Sequence, residues 1–98
     1  MSWFSSVLDG TKRELNRQFD RKKPEIIAAV RAEARRARDK GDTGDAFKDA
    51  LVFAVHQYPV FGPIEFLVIK LITGIPIKGK SLTEIENGIV GRIQGARL

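Results

Sequence analysis

Ile27, Val30, Ala34, Ala37 and Gly41 follow one another at alternating spacings of three and four, and this pattern constrains the fold more tightly than any other feature of the chain. On an α-helix, turning about 100° per residue, such positions share one stripe; on a strand they scatter over both faces. The same spacing recurs in Phe4, Leu8, Leu15 and Phe19 with Thr11 in the gap, in Phe47, Leu51, Ala54 and Tyr58, and in Leu82, Ile85, Ile89 and Ile93. The pattern predicts an all-α fold, a single small domain of four to five short helices.

Proline, glycine and capping residues set the expected boundaries. The first helix runs from Ser2 to about Lys23, where Pro24 ends it by disfavouring helical geometry in the residue before it, and Pro24 opens the second. Gly41 stands where a C-terminal cap belongs, so residues 1–41 read as a basic helical pair. Asp42-Thr43-Gly44-Asp45 is rich in capping residues, and a third helix follows over Ala46–Tyr58, its apolar surface broadened by Phe53 and Val55 into that of a central helix. YPVFGP is a stiff connector, and Pro63 opens a fourth helix that runs to Thr73 with Gly74 as its cap. The β-branched run FLVIKLI also suits a buried strand, but the bracketing Pro63 and Gly74 favour helix. Ile75–Lys80 is an extended connector. SLTE, Ser81–Glu84, is a capping box that starts the last helix. Gly88 and Gly91 leave that helix to be held by packing, or to fray toward Gly95. Residues 42–98 thus form an apolar helical core with a C-terminal helix.

Ninety-eight residues at 43% apolar content suit one modest core without disulfides or metal. The chain has no cysteine, which excludes disulfides, thiolate chemistry and cysteine-ligated zinc. The N-terminus lacks the features of a secretory signal, so the mature chain is expected to start at Met1 or Ser2. The longest uncharged run, Ala50–Ile64, is shorter than the ~20 apolar residues that span a bilayer. Net charge is +5 and uneven: residues 1–41 hold eleven Lys/Arg against six Asp/Glu, residues 42–98 six against six. The basic half suits an anionic surface of protein, nucleic acid or lipid.

Three stretches are candidates for contact with a partner. In RAEARRARDK, Arg31, Arg35 and Arg38 fall within about 60° of each other on a helix, and Arg36 projects elsewhere. Asp39 can pair with Arg35 and Glu33 with Arg36, whereas Arg31 and Arg38 have no acid at helical offsets. The ridge reads either as a solvated face or as a clamp for phosphate or carboxylate. No aromatic residue interleaves with it, which argues against base stacking. On the fourth helix, Ile64, Leu67, Val68 and Leu71 form a core face, and Phe66, Ile69, Lys70 and Thr73 an outer face apolar enough for an interface. Trp3 and Phe4, at the start of a basic amphipathic helix, suit contact with a membrane surface.

No nucleophile, base and oxyanion site can be assembled from these residues. His56, the sole histidine, reads as a structural residue, and Glu65 as a charge placed to suit a helix dipole. The sequence therefore leads to a non-catalytic interaction or assembly module, an accessory or structural subunit without cofactor, metal or small-molecule substrate. It would dock a protein partner or a second copy through the outer face of helix four and the arginine ridge. The alternatives are non-specific binding of a nucleic-acid backbone and peripheral membrane association.

Overall fold

The computed structural model describes residues 3–57 and 63–98. Within them lie four helices and no strand: α1, Trp3–Lys40; α2, Gly44–His56; α3, Pro63–Thr73; and α4, Leu82–Gly95. The all-α expectation holds, and FLVIKLI is helical. Tyr58 and most of the YPVFGP connector lie outside the described residues.

Pro24 does not divide the first segment. It sits inside a single helix of 38 residues, so the expected pair of short helices is one long one. A proline inside a helix costs roughly 3 kcal/mol, through the lost hydrogen bond to the carbonyl four residues back and a clash with it. Burial on both sides of Pro24 outweighs that cost. Phe19, Ile26, Val30 and Ala34 are wholly buried and Ala37 nearly so, and burying one large apolar side chain is worth about 1.5–3 kcal/mol. A break at residue 24 would take one half of this stripe off the core. A straight helix of this length spans about 57 Å, and the molecule's longest dimension is 53 Å, so α1 is as long as the molecule itself.

The stripe itself is shifted from the expected one. Ile26 is the buried isoleucine and Ile27 is only partly covered. Asn16 is only 9% exposed because the C-terminal tail crosses it: the Leu98 N–H donates to Asn16 Oδ1 at 2.8 Å. Around that point Lys23 Nζ donates to the Gln94 carbonyl at 2.7 Å, Arg97 meets Asp20 at 3.3 Å and Ala96 is buried. The end of α4 is therefore docked rather than frayed.

Gly41 closes α1 in the left-handed region, φ 89°. Its N–H donates to the Arg38 carbonyl at 3.0 Å and that of Asp42 to the Ala37 carbonyl at 2.9 Å, which satisfies two carbonyls left over at the helix end. Thr43 occupies the N-cap of α2 without a side-chain hydrogen bond, so that turn is not capped as its composition suggests. Phe47, Leu51, Ala54 and Val55 face the core. α3 has the predicted bounds, but Gly74 does not cap it through a left-handed turn. Instead, cations from neighbouring helices take carbonyls at and just beyond its end: Lys48 Nζ donates to those of Thr73 and Ile75 and Arg92 to that of Leu71, a placement the helix dipole favours. The connector after α3 is extended only in part, since Lys80 N–H closes a turn onto the Ile77 carbonyl with Gly79 at φ 74°. The capping box forms as expected, with Ser81 and Glu84 exchanging hydrogen bonds of 3.1 Å, and α4 buries Ile85, Ile89, Val90 and Ile93.

Candidate functional site

The capping box sets the register of α4, and that register presents Glu86 beside Ile85 on the side facing α1, where its side chain is 10% exposed. Arg31 Nη1 donates to Glu86 Oε2 and Arg38 Nη1 to Oε1, each at 2.6 Å. The two arginines without an intrahelical acid are seven residues apart, about two turns, and each takes one oxygen of the same carboxylate on another helix. Arg31 also reaches Asn87 Oδ1 at 3.2 Å. Arg38 approaches Thr83 Oγ1 at 3.4 Å, and its guanidinium lies 5.3 Å from the centre of the Phe47 ring, within the range of a cation–π contact. Burial pushes the Glu86 carboxyl up, but the hydrogen bonds and charges of Arg38 and Arg31 outweigh it and hold the group below the ordinary glutamate value.

The four arginines of RAEARRARDK therefore have different surroundings. Arg31 and Arg38 hold α1 to α4. Arg36 pairs with Glu33 on its own helix. Arg35 is exposed and forms no ion pair with any residue whose side chain is described; the expected partner Asp39 does not take it. Glu86 was not singled out in the sequence. Its signal was indirect: two arginines at the edge of an apolar stripe, without local acids, call for a carboxylate from another helix.

On α3, Ile64, Val68 and Ile72 are the buried residues. Leu67 and Leu71, expected in the core, are half-buried, and so is Ile69, which packs against the core cluster rather than standing outside it. The buried stripe runs at intervals of four, through Ile64, Val68 and Ile72. Phe66 is 79% exposed, and Lys70 and Thr73 are exposed nearby on the chain. The Thr73 hydroxyl bonds back to the Ile69 carbonyl at 2.8 Å, so it is turned onto its own helix. Phe53 on α2 is 61% exposed; its apolar breadth was read as a sign of centrality, and it is instead surface.

Trp3 and Phe4 belong to the first turn of α1, but their side chains lie outside those described. His56 is exposed at the end of α2. Among the described residues no cluster of His, Asp or Glu could hold a metal ion, and no helix is long and apolar enough to cross a membrane. Comparison with protein-family models, with curated proteins and with solved structures finds no match to this chain.

Proposed function

We propose that the protein is a non-catalytic helical docking module, an accessory or structural subunit that assembles through the outer face of α3, with a second copy of the chain as the first partner to test. One observation carries this reading: Phe66 is 79% exposed in the middle of a helix whose other side is core. A phenylalanine can bury about 150–250 Å², and large aromatics are enriched at the centres of interfaces. Lys70 and Thr73 would supply the polar rim. Ile69 supports the face from beneath, since it already packs on the core.

Sedimentation velocity over a range of concentrations tests this with wild type and Phe66→Glu. The wild type should shift to larger species as concentration rises and the variant should stay monomeric. Its melting should be nearly unchanged, because an exposed side chain contributes within about 0.5 kcal/mol. Identical sedimentation of the two proteins at every concentration refutes the reading; so does a variant that no longer melts cooperatively, since Phe66 would then be part of the core.

A further inference from the structure

The long helix brings together arginines that the short quoted stretch does not contain. Once Pro24 lies inside α1, Arg13, Arg17, Arg21, Arg31 and Arg35 belong to one element. On a helix turning about 100° per residue they fall within a band about 80° wide, centred about 140° from the buried stripe of Phe19, Ile26, Val30, Ala34 and Ala37. All five are exposed. Arg17 pairs with Glu14, and Arg31 uses Nη1 alone for Glu86 and Asn87. Arg13, Arg21 and Arg35 form no ion pair with any residue whose side chain is described.

What lies between these arginines matters as much. Pro24 and Ala28 occupy the same band, Ala32 borders it, and no large side chain stands among the guanidiniums between Arg13 and Arg35. The acids lie at its edges and are mostly engaged: Asp20 with Lys23 and Arg97, Glu25 with Lys22 at 3.7 Å, Glu14 with Arg17. Asp39, one turn beyond Arg35, ends the row. From Arg13 to Arg35 the row is about 33 Å long, close to one turn of a nucleic-acid duplex at about 34–36 Å.

The geometry points to this outer face of α1 as a docking surface for the phosphate backbone of double-stranded nucleic acid, read without regard to sequence. Arginine forks match phosphate oxygens in pairs. A band of Pro and Ala lets the backbone come close, and the small residues leave nothing to read base edges. Single strands are a poorer match because no aromatic side chain lies in the band between Arg13 and Arg35 for bases to stack on. Lipid is a poorer match too, because membrane-surface helices place apolar side chains into the bilayer and those of this part of α1 face the protein's own core. The proposal is independent of assembly through α3.

The test is a fluorescence-anisotropy titration of a random-sequence duplex at several salt concentrations. Three proteins are compared: wild type, the triple variant Arg13→Gln, Arg21→Gln, Arg35→Gln, and a charge-matched control Lys40→Gln, Lys78→Gln, Lys80→Gln. None of the three mutated arginines belongs to the Glu86 clamp, and circular dichroism melting checks the fold. Five phosphate contacts give a slope of log affinity against log salt near −4.5, and losing three flattens it to about −1.8. The control should keep nearly the parental slope. Should the triple variant melt early, Arg21→Gln alone should flatten the slope by about 0.9. No duplex binding by wild type at low salt overturns the proposal, as do equal slopes for wild type and arginine variant. An equal loss in the control overturns it too, since net charge would then be the cause. Capture by anionic vesicles without capture of duplex transfers the surface to lipid.

Discussion

Glu86 is a single carboxylate holding two helices in register, and its energetics follow from how unevenly it and its partners are buried. The glutamate side chain is 10% exposed, whereas Arg31 and Arg38 are 47% and 34% exposed. Removing the acid therefore leaves two cations that can turn back to water, and Glu86→Gln should cost only about 1–2 kcal/mol at neutral pH, below the 3–5 kcal/mol typical of an orphaned buried charge. The pH dependence has a definite sign. Because the folded protein holds this carboxyl below its ordinary value of 4.5, the stabilisation is complete above that value and is lost as pH falls through the lower folded one. Urea midpoints measured from neutral to acid pH should show wild type and Glu86→Gln converging below pH 4.5. Glu14, Asp20 and Glu84 are also held low, but both proteins share them, so the difference isolates Glu86. A constant gap at all pH values would mean that the pair contributes nothing through its charge.

Among the elements, α1 is where local preference and tertiary packing disagree. Pro24 argues for a boundary, and on local grounds the residues before it should leave helical geometry. The apolar positions on its two sides argue for continuity, and they win because Phe19 and Ile26 are buried in one and the same cluster. The helix therefore retains a local penalty that substitution can relieve. Pro24 is exposed, so Pro24→Ala removes no core contact and restores the N–H that the Asp20 carbonyl lacks. Stability should rise by about 1–3 kcal/mol, read as a higher melting temperature with unchanged far-ultraviolet dichroism. A decrease would show that the proline is needed for a bend or a register that alanine does not reproduce. Three helix ends were legible because they rest on short-range chemistry: Ser81 and Glu84 cap α4, Gly41 closes α1, and Pro63 opens α3. The end of α3 was legible in position but not in what satisfies it, because Lys48 and Arg92 reach its carbonyls from elsewhere in the chain.

For the whole molecule, the unbroken α1 sets a shape that a pair of short helices would not. The radius of gyration is 15.2 Å and the extents are 53 × 24 × 15 Å, against about 13 Å expected for a rounded domain of this length. Along α1, Gly10, Thr11, Lys12 and Arg13 are all exposed. These four span a full turn of exposed helix ahead of Asn16, where the tail docks. Small-angle X-ray scattering from dilute Phe66→Glu protein should give a radius of gyration clearly above the rounded value. A radius near 13 Å would instead favour a first segment folded back at Pro24.

The sequence by itself determined the helical class, most helix ends and most of the residues that form the core, because apolar spacing, capping side chains and the conformational limits of Gly and Pro act within a few residues of one another. Tertiary structure alone decided three things. It carried α1 through Pro24, since the gain from burying both halves of a stripe exists only once the other helices are in place. It turned Arg31 and Arg38 onto Glu86, 55 and 48 residues away, because an ion pair between helices depends on their relative register, which no local pattern encodes. And it separated Ile69, packed against the core, from Phe66, left in the open, because on a helix apolar nearly all round the covered side is chosen by its neighbours.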